Sequence, residues 1–281
     1  MTRIAHLSDL HFGLHRQELI APLLDCINRS GADLVVVTGD MTHRARRSQY
    51  AQATDFLSRI QAPIMVIPGN HDVPLYNLPV RLLAPYRSYR RAIGPDLSPS
   101  WQGGTVRVLG LNSVDPLAVQ RGIVRDGDIG RVVNGLDALA TNIVALHHPL
   151  EHLAQVDKEL AVNAPRALDR FEKAGVAIVL SGHLHVWATG AMLEQTRHPG
   201  ILQIQAGTAL CSRVSDRQNE FSVLQMDGRV LTIARHIAPM GEASFRPPEY
   251  EWFSRDNGMW MAHQPADIPI VPGTESVATS A

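Results

Sequence analysis

Apolar and polar positions along the first two thirds of the chain switch repeatedly between two periods. "RIAHLS", "ADLVVV", "PIMVI", "TVRVLGL", "NIVAL" and "VAIVL" are apolar runs of strand length, and the Val- and Ile-rich ones are of the kind buried on both faces. Between them, Leu19, Leu23 and Ile27 recur at helical spacing in the segment from Gln17 to Arg29, closed by Gly31, and Tyr50, Ala53, Leu57 and Ile60 mark a second helix. "RALDRFEKAG" predicts a third, ending at Gly175. Residues 73–104 break the alternation and read as a helical insertion flanked by loops. Further on, "WATGAML", "ILQIQ", "FSVLQM" and "RVLTIA" read as consecutive strands, with Asp227-Gly228 as a two-residue hairpin turn. Strands alternating with helices, then a run of strands, predict an α/β sandwich of two mixed sheets covered by helices. The expected organisation is one domain over residues 1–240, carrying the insertion 73–104. A Pro- and Trp-bearing C-terminal extension over 241–281 follows, disordered from about residue 264.

Composition narrows the classes. At 281 residues with 45% apolar and 19% charged residues, the chain suits an ordinary soluble globule. A formal net charge of −1 lacks the basic field of a duplex-binding protein, so no specific duplex nucleic acid partner is expected. Cys26 and Cys211 form no CxxC pair and no disulfide framework, which suits a reducing compartment. The N-terminus "MTRIAHLSDLH" has no secretory h-region and no apolar run reaches bilayer length, so a cytoplasmic location without a transmembrane segment is expected. One figure stands out. There are thirteen histidines, and His11, His71, His147, His148, His183 and His185 all sit at the ends of apolar runs.

Those ends carry the chemistry. Just past the carboxyl ends of five predicted strands stand Asp9 and His11, Gly39-Asp40, Gly69-Asn70-His71-Asp72, His147-His148, and Gly182-His183-Leu184-His185. In an open α/β sheet such ends converge on one crevice, so five loops bring carboxylates, imidazoles and a carboxamide together. Oxygen and imidazole donors without thiolate suit Mn, Fe, Zn or Co, and eight candidates are enough for two four-ligand sets that share a carboxylate. His147 and His148 compete for one place. His6, mid-strand, reads as a core histidine. Asn112 at a strand end and Arg213 are candidate substrate contacts, and Arg81, Arg87, Arg90 and Arg91 give the insertion either a solvated face or a lid that meets a substrate phosphate or a membrane surface. Trp252, Phe253 and Trp260 are expected to pin the tail onto the body or onto the partner of a homodimer.

The ordered series Asp9-Leu10-His11, Gly39-Asp40, Gly69-Asn70-His71-Asp72, His147 and Gly182-His183-Leu184-His185 resembles the signature of the calcineurin-like metallophosphoesterases. The wording "HLSDLHFG", "PGNHDVP" and "LHHP" is similar to their bacterial branch that contains the class III cyclic-nucleotide phosphodiesterases, and the resemblance spans roughly residues 3–235. A Gly-Asn-His-Asp string alone is expected on the order of once in a hundred thousand positions. The resemblance implies a four-layer α-β-β-α sandwich and two transition-metal ions. Asp9, His11 and His185 would bind the first ion, Asn70, His147 and His183 the second, and Asp40 would bridge both. His183 and His185 would reach different ions from an extended loop that points both rings the same way. A metal-bridging hydroxide would attack phosphorus, with His71 as leaving-group acid or charge stabiliser and Asp72 orienting it. The implied partner is a small-molecule phosphate ester, a phosphodiester first. Phosphomonoesters and nucleotide-sugar lipid pyrophosphates are the alternatives under the same chemistry. A non-catalytic protein-binding scaffold would lack motif residues, and none is missing.

Overall fold

The computed structural model describes residues 1–153, 156, 158–190 and 198–264. The chain opens with β1 (Thr2–Leu7), α1 (Ile20–Arg29), β2 (Leu34–Thr38), α2 (Arg47–Ser58) and β3 (Ile64–Ile67). Then come α3 (Leu78–Leu83), α4 (Arg87–Ala92), β4 (Ser100–Gly103), β5 (Val106–Leu111), α5 (Asp126–Asn134), β6 (Thr141–Leu146), α6 (Ala164–Ala174) and β7 (Val176–Ser181). Last are β8 (Ala188–Thr189), β9 (Leu202–Gln205), β10 (Gln218–Asp227), β11 (Val230–Pro239), β12 (Glu249–Asp256) and β13 (Met259–His263). These strands form two mixed sheets, ordered β13-β12-β11-β10-β1-β2-β3 and β4-β5-β6-β7-β9-β8.

The layers follow from strand alternation. In β1, Ala5 and Leu7 face a cluster with Leu23 and Ile27 of α1 and Ala53 and Phe56 of α2, while Ile4 faces the other way. Ile4 belongs to the inter-sheet core with Val36, Ile67, Val108, Ile143, Ile178 and Leu224. Outside the second sheet, Val144 and Val179 pack with Ile129 and Val132 of α5 and Leu168 and Phe171 of α6. Three apolar layers between four layers of elements give the α-β-β-α sandwich. β1, β2 and β3 run parallel, as do β5, β6 and β7, so their carboxyl ends meet along one rim.

Several details depart from the sequence reading. The β10–β11 turn is Gly228-Arg229 and not Asp227-Gly228, because Asp227 still pairs with Val230 and Gly228 takes the positive φ of +60°. The insertion 73–104 holds two short helices and also β4, which pairs antiparallel with β5. Of "WATGAML", β8 covers Ala188–Thr189, and residues 191–193 lie outside the described residues. In the extension, β12 and β13 continue the first sheet, Phe253 is 6% exposed in the inter-sheet core, and Trp260 Nε1 donates to the Ala177 carbonyl at 2.7 Å. The tail expected to be disordered, residues 265–281, lies outside the described residues.

Candidate metal centre

Five strand-to-loop junctions deliver the polar residues to the rim, and the backbone there is unusual. Asp9, His11, Asp40, His183 and His185 all have positive φ, between 48° and 77°. Such conformations cost about 1–3 kcal/mol each for residues with a Cβ and persist where the surroundings enforce them. The extended loop expected at His183 and His185 is therefore not what forms. The left-handed turns, not an extended alternation, send the two rings to different donor sets. The junction has no room to relax: a Cβ on Gly182 would lie 1.8 Å from Ser8 Oγ, and one on Gly69 would lie 2.2 Å from Asp40 Oδ1.

Two donor sets meet at one carboxylate oxygen. In the first, His185 Nε2 lies 3.1 Å from Asp9 Oδ1 and from His11 Nε2, and His11 Nε2 lies 3.5 Å from Asp40 Oδ2. In the second, His147 Nε2 lies 3.1 Å from Asn70 Oδ1, 3.3 Å from His183 Nδ1 and 3.5 Å from Asp40 Oδ2. Donors bound at 2.0–2.2 Å around a tetrahedral ion stand about 3.4 Å apart, so this spacing suits a cation in each set. Asp9 Oδ1 is buried without a hydrogen-bond partner, which a cation would resolve.

The outer contacts aim these donors. His147 Nδ1 donates to the Thr38 carbonyl at 2.7 Å and His185 Nδ1 to Asp216 Oδ2 at 2.9 Å, which leaves each Nε2 facing its set. Asp9 Oδ2 accepts from Ser8 Oγ and from the His183 amide, and Asp40 Oδ1 accepts from the His71 amide. His148 resolves against a ligand role: Nδ1 bonds Ser113 Oγ and Nε2 the Gln120 carbonyl, so neither nitrogen is spare.

A calcineurin-like phosphoesterase family profile matches residues 2–187. This chain belongs to the calcineurin-like phosphoesterase family. It is a phosphoric ester hydrolase. It is 24% identical over 188 residues to the "Probable cyclic nucleotide phosphodiesterase" of Vesicomyosocius okutanii subsp. Calyptogena okutanii, a match that covers 64% of this chain and 75% of that protein. It is also 34% identical over 80 residues to a glycerophosphodiester phosphodiesterase of Enterobacter lignolyticus, covering 25% of this chain and 29% of that one. Its fold is similar to that of a dimetal phosphatase from Danio rerio, with a TM-score of 0.62 at 14% identity over 83% of this chain and 95% of that one.

Beside the donor sets the phosphoesterase has a cavity of about 350 Å³ lined by Asp40, Asn70, His71, His183 and His185, with Arg213 and Lys158 as cations. His71 Nδ1 donates to the His43 carbonyl at 2.7 Å, and its Nε2 accepts from Arg213 Nη2 at 3.2 Å. The orienting contact expected from Asp72 is thus made by a backbone carbonyl. Asp72 is fully buried and accepts from the amides of Met41, Thr42 and Gly69, so it ties the β2 loop to the β3 loop. Burial and the Asp40 charge push its carboxyl up to about 7, against those amides.

Asn112 is not brought to the cavity: its Oδ1 accepts from the Val114 amide in a turn after β5. Arg87, Arg90 and Arg91 are exposed and do not line the cavity. His6 is buried in the core with Nε2 against Thr38 Oγ1 at 2.9 Å. Sequence reasoning missed Lys158, His43 and Asp216. His43 closes the "GDMTH" loop and could have been suspected there; Asp216 and Lys158 have no motif around them.

Without a cation two of the rings, His185 and His147, hold charge. Burial opposes protonation of His185, yet the Asp9 charge and the hydrogen bond to Asp216 push it up to about 12. Burial likewise opposes charge on His147, and Asp40 raises it to about 9. Burial, then His148 and His147, hold His183 well below the ordinary imidazole value. Among the described residues no helix is long and apolar enough to cross a membrane.

Proposed function

We propose that this chain is a dinuclear phosphodiesterase acting on small-molecule diesters, with residues 1–240 as the catalytic unit. Asp9, His11 and His185 would hold one ion, Asn70, His147 and His183 the other, and Asp40 both. The observation that carries this reading is Asp40 Oδ2, 3.5 Å from His11 Nε2 and 3.5 Å from His147 Nε2, where the sets join. Ions bound there supply activation of water and neutralisation of charge on the phosphoryl oxygens.

The remaining work falls to the chain's own side chains. Arg213 and Lys158 face the cavity as cations for a phosphate that carries one negative charge as a diester. A carbonyl can only accept, so the His43 carbonyl keeps a hydrogen on His71 Nδ1 and turns Nε2 toward the cavity. At rest Arg213 donates to that nitrogen; once the guanidinium passes to the phosphate of an arriving substrate, Nε2 is freed to take up a proton from water and hand it to the leaving oxygen. The names of the two curated relatives support a diester over a monoester. Among the described residues no serine lines the cavity, so one direct displacement suffices.

The test is metal content and a substrate panel together. Wild-type protein loaded with Mn or Zn is expected to hold two ions per chain. Asp40→Ala is expected to lose more metal than Asn70→Ala, since the carboxylate serves both sets. On the panel, a cyclic nucleotide, a glycerophosphodiester and an aryl diester should be hydrolysed faster than an aryl monoester. Full metal occupancy in Asp40→Ala would refute the bridge, and preference for the monoester would refute the diesterase reading.

A further inference from the structure

Helix α3 is inside out. Arg81 is only 5% exposed, and its guanidinium donates to the carbonyls of Pro74, Pro116 and Ala118. Its neighbours Leu82 and Leu83 are 59% and 86% exposed. The ordinary arrangement is the reverse, with leucine inside and the charge in water. The three bonds of Arg81 join α3 and residues 116–118 into one piece, and the outward face of that piece is apolar. Tyr76, Leu78, Leu82, Leu83, Leu117 and Val119 supply six of the fourteen large apolar side chains exposed among the described residues. Clustered exposure of this kind marks a binding surface, whereas scattered single residues do not.

This lip is continuous with the cavity. Leu75 and Val119 line it, and the Val119 carbonyl accepts from Asn70 Nδ2 at 3.1 Å. Arg44, also in the lining, lies over the Tyr76 ring at 5.6 Å. A volume of about 350 Å³ is at the small end of ligand cavities, and its floor is the polar donor sets. A phosphate seated there must send any large ester substituent out over the rim.

We propose that the lip is the subsite for an apolar substituent of the substrate, so that the enzyme takes amphiphilic phosphodiesters bearing an alkyl chain or an acylated alcohol on one ester oxygen. Arg44 and Arg213 then flank the anionic end while the leucines cover the apolar one. The inference rests on the diesterase reading above and adds the substrate class.

Methyl, butyl and octyl 4-nitrophenyl phosphates, each below its micelle concentration, test it on the metal-loaded full chain. Covering a methylene is expected to raise kcat/KM roughly two- to fourfold. With three or four of the seven added methylenes covered, the octyl ester should exceed the methyl ester by about tenfold or more, and joint replacement by Leu82→Ser, Leu83→Ser and Leu117→Ser should bring that ratio toward one. The ratio is internal to each preparation, so partial loss of folded protein leaves it intact. A wild-type rate indifferent to chain length, with the methyl ester turned over, overturns the lip proposal alone. An unchanged ratio in the variant overturns it as well. If sedimentation shows that the substitutions alter assembly and leave the ratio unchanged, the lip is a contact between copies. No turnover of any diester overturns the diesterase reading itself.

Discussion

Removing the Asp216 carboxylate asks whether the two donor sets bind independently. Asp216 is 8% exposed, and its Oδ2 accepts from His185 Nδ1 at 2.9 Å. That bond keeps the hydrogen on Nδ1 and leaves Nε2, 3.1 Å from Asp9 Oδ1, bare for a cation. In Asp216→Ala the ring loses both its orientation and the nearby charge that supports it. A hydrogen bond to a charged group is worth about 1.5–3 kcal/mol. At about 1.4 kcal/mol per decade, the ion in the Asp9–His11–His185 set should bind roughly 10–100-fold more weakly. The other set has its own anchor, the 2.7 Å bond from His147 Nδ1 to the Thr38 carbonyl, and should keep wild-type affinity. Chelator competition followed by elemental analysis reads the two ions separately, and a thermal melt confirms that the variant is folded. Asp216→Asn should fall between, since an amide oxygen still accepts but carries no charge. Equal weakening of both ions, or of neither, would refute the separation of the sets.

Two further outcomes follow from the site. His71→Ala should keep metal content near wild type and cut kcat by roughly 10²–10⁴-fold, with the loss smaller for a nitrophenolate leaving group than for an alkoxide. A uniform loss across leaving groups would make His71 a charge stabiliser, and loss of an ion would make it a ligand. In the metal-free protein His147 and His185 sit at about 9 and about 12, above the ordinary 6.5, so each cation must displace a proton. Uptake should strengthen about tenfold per pH unit and per displaced proton from pH 7 toward 9, with the His147 set losing this dependence above 9. Stability of the metal-free fold runs the opposite way: a raised imidazole supports it fully below about 6.5, and that support is lost as pH rises through about 9 for His147 and on toward 12 for His185. Melts of metal-free protein from pH 7 to 10 check this, and metal uptake independent of pH would contradict it.

The donor residues were legible in the chain because each follows an apolar run that could only be a buried strand. Parallel strands place their carboxyl ends on one edge of their sheet, so Asp9, Asp40 and Asn70 follow together from β1–β3 and His147 and His183 from β6 and β7, while the stacking of the two sheets decides that those edges meet. The two mixed sheets and their helical covers were likewise written in the alternation of periods 2 and 3.6. What the chain alone left undecided were the partners across long separations. Asp216 reaches His185 over 31 positions, and Arg213 reaches His71 over 142. His147 and His148 are neighbours of the same type, and only the Ser113 and Gln120 contacts occupy one of them. Asp72 looked like an orienting carboxylate from its place beside His71, but the tight turn at residues 70–72 sends it to three amides instead. The sequence leaves Arg81 between a solvated face and a lid, because local pattern cannot foresee carbonyls converging on it from Pro74 and from the loop of Pro116 and Ala118. Local hydrophobicity decides which segments become strands and helices, since burial of a face is a property of the segment. Which side chain meets which is decided only when the layers close, because hydrogen bonding acts over about 3 Å and depends on backbone turns that no short window specifies.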